Sequence, residues 1–258
     1  MSQRASTATP VVRRIRPAMG TMASVHVHDV APVSEIEAAI DELFVELDRL
    51  EALFSTFRPD SEISRINSGA IHPVDCSREV IDVLDACTWL EQASAGAFDI
   101  RRAGLAGPID PAGFVKGWAA ERAAAALARR GLEHWYVSVG GDIVVSGEPS
   151  PGERWRIGIA DPFRPGSVLA SLDIADGAVA TSGTAERGSH LWNARGGVPP
   201  ATFVSVTVMG PSLAWADAFA TTVFVMGEPG IEWLAGFDGY HAAAVRADGS
   251  ILASAALA

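Results

Sequence analysis

The sequence predicts an α+β fold with a mainly antiparallel sheet core and flanking helices. Three observations predict it. Strand-like runs cluster in meanders instead of alternating one by one with helices. Gly140-Gly141 and Asp248-Gly249 each separate two strand-like runs, as tight hairpins do. No GxGxxG follows a strand and no GxxxxGK[ST] occurs, so neither standard nucleotide-binding loop of a parallel sheet is present.

The elements follow in order. Residues 21–28 alternate, with Ala23, Val25 and Val27 on one face, and read as a strand. Ser34 with Glu37 has capping-box form. Ile36, Ile40, Leu43, Phe44, Leu47, Leu50 and Phe54 then keep a helical period, so a helix is expected over 35–53. Residues 55–69 read as a loop with one helical turn at 61–67. A second helix is expected over 77–94, ended by Gly96, and a third over 114–130, with Gly131 just past its end. Strands follow at 134–139, 143–146, 155–160 and 168–174. Val179-Ala180 leads into a polar, glycine-rich segment, 181–200. A strand at 202–209, helices at 213–225 and 231–235, and a hairpin of 242–246 with 251–253 close the chain.

The 258 residues are 48% apolar and 20% charged, a globular composition. With no internal repeat and no linker, residues 19–258 read as a single domain behind a flexible N-terminal tail, 1–18. The net charge is −11, and the first 28 residues hold four arginines and no acid, so residues 29–258 carry 16 bases against 31 acids. That field excludes a general nucleic-acid binder. An acidic body that handles an anionic ligand needs backbone N–H groups or a divalent cation. Cys76 and Cys87 form neither a disulfide framework nor a zinc spacing, and Cys87 reads as a core thiol. No apolar run follows Met1 or Arg13-Arg14, and 212–226 is too short to span a bilayer and is broken by Asp217. A cytoplasmic protein without a membrane segment is expected.

Candidate chemistry sits in the polar stretches between these elements. Met19-Gly20-Thr21 is a turn or a phosphate contact. In Ser55-Thr56-Phe57, the aromatic beside a polar loop can stack on a flat ring. Gly96-Ala97-Phe98-Asp99 precedes Asp110-Pro111-Ala112-Gly113-Phe114-Val115-Lys116-Gly117. Lys116 is the single lysine among 20 basic residues. It falls in a first helical turn, where the helix dipole favours acids, so a carboxylate partner or an anionic ligand would justify it. Gly113 could turn a carbonyl toward a cation. Gly140-Gly141-Asp142 is a hairpin turn or a close approach for a ligand. Thr181-Ser182-Gly183 could form an anion nest, and His190 follows in a polar segment. Asp217 and Thr221, at i and i+4, share a helix face and suit a hard cation together with backbone carbonyls.

The order of these pieces is more specific than any one of them. MGT, STFRPDSEISRIN, GAFDI, DPAGFVKGWAAERA, VSVGGDI, WRIGIADP, AVATSGTAERGSH and SVTVMG followed by ADAFATTVFVMG run over about 19–227, and the series resembles the ApbE family of FAD:protein FMN transferases. The resemblance implies binding of FAD with a divalent cation, Mg²⁺ or in its place Ca²⁺ or Mn²⁺. It implies transfer of FMN to a Thr or Ser hydroxyl of an acceptor flavoprotein with release of AMP. FAD hydrolysis to FMN and AMP, or FAD binding alone, are the alternatives. By the same resemblance Asp217, Thr221 and the Gly113 carbonyl would be metal ligands. Met19, Phe57, Ala97, Phe98, Asp99, Asp110 and Lys116 match the family's nucleotide contacts, and the local readings above add Gly20, Thr21, Gly140, Gly141, Asp142, Thr181 and Ser182 as candidate nucleotide contacts. His190 would be a candidate base for the attacking hydroxyl, and Asp217 counts as catalytic as well as a metal ligand. Two departures stand out. Phe57 replaces a frequent Tyr, and the family's HxxDPxTG stretch reads His190-Leu191-Trp192-Asn193-Ala194-Arg195-Gly196-Gly197 without its Asp and Pro.

Overall fold

The computed structural model describes residues 11–101, 107–183 and 202–254. Eight strands form one sheet: β1 (Val12–Ala18), β2 (Thr21–Val27), β3 (Trp135–Val139), β4 (Asp142–Ser146), β7 (Gly177–Gly183), β8 (Phe203–Gly210), β9 (His241–Arg246) and β10 (Ile251–Ala253). β5 (Trp155–Ala160) and β6 (Val168–Ile174) form a separate two-stranded ribbon. Neighbours in the large sheet follow chain order and every pairing is antiparallel. Each excursion therefore leaves one strand and returns to the next position, the pattern expected of an α+β fold.

The helices are α1 (Val33–Phe54), α2 (Glu62–Asn67), α3 (Arg78–Ala93), α4 (Ala112–Arg129), α5 (Leu213–Met226) and α6 (Glu228–Leu234). Strand alternation gives the sheet two apolar faces. Ala23, Val25, Val27, Val137, Val139, Val144, Ala178, Ala180, Val206 and Val208 join the core formed with the helices. The opposite parity, Ile143, Val145 and Val179, packs with Trp155, Ile157 and Ile174 of the ribbon in a second, smaller core. The result is three layers: helices, sheet, ribbon. Among the described residues no helix is long and apolar enough to cross a membrane. Cys87 is a buried core thiol, as read from its helical position, and burial pushes its pKa up.

Three expectations are corrected. Residues 12–18, assigned to the loose tail, form β1, paired with β2 along its whole length. Arg14 and Arg16 stabilise it by pairing with Asp41 and Asp48 of α1, and the Arg16 guanidinium lies 4.6 Å from the Phe44 ring centroid. Alternation here is carried by arginine stems laid on a helix, so it escapes an apolar pattern. The Ser34–Glu37 capping box does not form. Pro32 occupies the N-cap, and its carbonyl accepts from Glu35 and Ile36 N–H at 2.9 and 3.2 Å, so Ser34 is already inside the helix. Thr181-Ser182-Gly183 belongs to β7 rather than to a polar loop, because Ser182 is fully buried against α5 and strand pairing with β8 continues through Gly183.

The helix pair that matters most is α4 with α5. Gly117 of α4 sits against α5 so closely that a Cβ there would lie 2.5 Å from the Leu213 carbonyl oxygen and 3.0 Å from Asp217 Cβ. Glu121, one turn further along α4, accepts from Ser212 Oγ at 2.8 Å and Ala214 N at 3.2 Å, satisfying donors at the α5 N-terminus. Gly117→Ala should therefore push the helices apart and lower unfolding stability by about 1–3 kcal/mol. Urea unfolding followed by circular dichroism measures this; a midpoint equal to that of the unaltered chain would contradict the packing.

Candidate functional site

The site is built at one end of the sheet. Met19 and Gly20, at φ 54° and 69°, make the two-residue turn between β1 and β2. Gly140 and Gly141, at φ 61° and 92°, make the turn between β3 and β4. Both need left-handed backbone at two successive residues, the geometry of the common two-residue hairpin. Pairing of Ala23 with Val139 brings the turns side by side. Gly140 N–H donates to the Met22 carbonyl at 3.0 Å, and a Cβ on Gly140 would lie 3.0 Å from Thr21 Cγ2.

A cleft of about 140 Å³ opens beside the first turn, lined in part by Met19, Gly20, Glu51, Phe57, Asp110 and Lys116. Phe57 is 92% exposed, an unusual setting for an aromatic ring, and it stands at the cleft mouth. The loop beneath it is fixed by Ser61, whose Oγ donates to the Ser55 carbonyl at 2.5 Å and accepts from Ser64 N at 3.0 Å, capping α2. Asp110 Oδ1 accepts from Ala112 N at 3.1 Å where α4 begins.

Lys116, one turn into α4, is the charged centre. Its ammonium pairs with Asp142 Oδ2 and lies 3.7 Å from Asp217 Oδ1. Both carboxylates are fully buried. Asp142 starts β4 on the helix-facing parity, and its Oδ1 accepts from Thr181 N at 3.1 Å. Asp217 Oδ2 accepts from Gly117 N at 3.2 Å. In a regular helix that N–H also points toward the Gly113 carbonyl, one turn earlier on α4. One turn beyond Asp217, Thr221 Oγ1 is 3.0 Å from Ser182 Oγ. The neighbouring Thr222 makes the back-bond to its own helix, to the Ala218 carbonyl at 2.8 Å, so Thr221 is the residue that meets the sheet. Burial, and then the Asp217 charge, push the Asp142 pKa up from 3.8 to about 7, against the opposing pull of Lys116.

The cleft and the charged cluster thus unite Met19, Gly20, Phe57, Asp110, Lys116, Asp142 and Asp217, with Thr21, Gly140 and Gly141 at one flank and Ser182 and Thr221 at the other. Other expected positions fall elsewhere. The Thr181 side chain faces the ribbon side, where its hydroxyl is 2.9 Å from Thr207 Oγ1; its N–H is committed to Asp142 and so is not part of an anion nest. Phe98 is in the core, and Asp99 Oδ1 takes the Arg101 N–H at 2.7 Å. The stretch around Ala97 is tied to the site by a backbone bond, Asp110 N donating to the Ile100 carbonyl at 2.6 Å. His190 lies outside the described residues. Among the described residues no three His, Cys, Asp or Glu side chains converge as a metal cage. Sequence reading missed Glu51, which sits on α1 as one more acid on a polar stripe.

The fold is that of known flavin transferase structures. It superposes on an ApbE protein from Thermotoga maritima with a TM-score of 0.80, at 24% identity over 96% of this chain and 98% of the other. The apo form of the Pseudomonas stutzeri flavinyl transferase ApbE gives 0.83, at 21% identity over 98% of each chain. The ApbE family model matches residues 19–107 and 102–244, and this chain belongs to the ApbE family. Relatives named FAD:protein FMN transferase include one from Treponema pallidum, 26% identical over 93% of this chain and 85% of its own length. Another, from Vibrio cholerae, is 26% identical over 82% and 80%.

The raised Asp142 pKa fixes a sign for pH dependence. The folded state holds this proton more tightly than the unfolded chain, so its contribution to stability is largest below about pH 4 and is lost as pH rises toward about 7. In metal-free buffer, the pH profile of urea stability should show that falling component, and Asp142→Asn should remove it. Identical pH slopes for the two proteins between about 4 and 7 would refute the assignment.

Proposed function

We propose that this chain is a Mg²⁺-dependent FAD:protein FMN transferase, moving FMN from FAD to a Thr or Ser hydroxyl of an acceptor flavoprotein and releasing AMP. The observation that carries the reading is Lys116, which lines an aromatic-rimmed cleft while its ammonium is held by the buried Asp142 and Asp217. Family membership and the names of the relatives support it.

The residues divide the work. Phe57 at the mouth offers a free ring face for a flat heterocycle. The turn glycines Gly20, Gly140 and Gly141 let a substrate approach the backbone. Lys116, held by two carboxylates, presents a fixed ammonium to the diphosphate. The acceptor oxygen attacks the phosphorus on the FMN side, the bond from that phosphorus to the bridging oxygen breaks, AMP leaves, and the hydroxyl proton passes to a base. His190 is the residue the family pattern offers for that proton.

A divalent cation fits the donor set. Two buried carboxylates face one ammonium, so with both acids ionised the cluster is short of positive charge. Asp217, the Thr221 hydroxyl and the Gly113 carbonyl are hard oxygen donors of the kind Mg²⁺ accepts. When bound, the cation would neutralise diphosphate charge that this acidic protein otherwise repels.

Incubating the protein with FAD, Mg²⁺ and a Thr-containing flavinylation target should give AMP and a covalently fluorescent target in equal amounts. AMP with free FMN would replace this reading by hydrolysis, and uncleaved bound FAD would replace it by binding alone. Asp217→Ala should lower metal-dependent AMP release by about 100-fold or more. Lys116→Arg, which asks a wide planar guanidinium to fit between two buried acids, should cost about tenfold or more, read in the same assay. Activity equal to that of the unaltered protein would exclude the residue concerned from its role.

A further inference from the structure

Met19 is one of two non-glycine residues with positive φ among the described residues, the other being Ala95. Position 19 starts a two-residue turn whose preferred occupants are Asn, Asp or Gly. A methionine pays a conformational penalty there that those residues avoid. It stays in place because its backbone is held. Met19 N–H donates to Glu51 Oε2 at 2.6 Å, a short bond to a carboxylate. Glu51 stands on α1, 32 residues away in sequence, near the end of a helix anchored by buried Leu47, Leu50 and Phe54. Glu51 lines both the cleft and a second hollow beside the turn, formed with Pro17, Thr21 and Met22.

We infer that Glu51 is a positioning residue. It clamps the left-handed Met19 backbone from α1, so that the Met19 side chain and Gly20 form a rigid wall of the cleft. On the far flank the turn is braced by the contact of Thr21 with Gly140 and by the bond from Gly140 N–H to the Met22 carbonyl. With both sides fixed, the wall is preorganised and substrate binding does not have to order it. Backbone strain at a cleft wall, held by a dedicated side chain, points to binding rather than to general stability. Met19 and Gly20 line the cleft, and the clamp fixes that wall, so it acts on affinity rather than on the chemical step. The inference rests on the proposed FAD substrate only for the identity of the ligand.

The test uses the whole chain. Glu51→Ala should raise KM for FAD by about tenfold and leave kcat within about twofold. Glu51→Gln, whose amide oxygen still accepts the Met19 N–H, should recover most of the affinity. Met19→Asn supplies a residue at ease in the left-handed region. In that background Glu51→Ala should cost little more, so the two changes are coupled. Hydrogen exchange at the Met19 amide, read without ligand, should be slow in the unaltered chain and fast in Glu51→Ala. Three results would overturn the clamp: unchanged exchange at Met19, a Glu51→Gln variant as impaired as Glu51→Ala, or the same Glu51→Ala penalty with Asn at position 19. If the unaltered chain fails to bind FAD, the proposed function falls, and the exchange measurement alone decides for or against the clamp.

Discussion

The meeting of one ammonium with two buried carboxylates governs this molecule. Lys116 comes from α4, Asp142 from the start of β4 and Asp217 from α5, so three separate elements converge on one charge. Burying such groups is costly, and removing one partner from a buried set leaves a charge that nothing compensates. The surrounding structure answers that cost: backbone N–H groups of Thr181 and Gly117 each donate to one of the acids. The close helix packing at Gly117 serves the same end, since a larger residue would move Asp217 off its donor. The site and the core are therefore one construction, and the small residues along α5 let an acid-bearing helix lie this near its neighbour.

Much of the fold is legible in the sequence because periodicity is a strong signal where burial enforces it. The seven apolar positions from Ile36 to Phe54 are all buried in α1, and Ala23, Val25 and Val27 all face the core. The glycine pair at 140–141 marks its hairpin because only left-handed backbone closes so tight a turn. What escaped the sequence is structure held by partners distant along the chain. β1 alternates arginines whose stems rest on α1, and β7 runs on through Thr181, Ser182 and Gly183 because β8 and α5 receive them.

The site divides along the same line. Lys116 stands out in the sequence as a lone lysine placed against its helix dipole, and the structure supplies the acids that explain it. Asp217 and Thr221 share a helix face by spacing alone. Glu51 carries no such mark, since an acid on an amphipathic helix is ordinary until its partner is seen to be a backbone N–H 32 residues away. Phe98 and Thr181 show the converse. Each belongs to a motif-bearing stretch, yet strand parity or core packing turns its side chain from the cleft.

The two margins of the large sheet are unlike its middle. β1 presents Arg13 and Ile15 with Pro17, a residue that has no N–H to offer, while β10 ends the other margin after three residues. Strands of this kind give a second chain little to pair with. An antiparallel sheet this wide would otherwise be a template for stacking copy on copy. Its arginine- and proline-bearing border lets the protein carry a long hydrogen-bonded surface while discouraging fibre-like self-assembly.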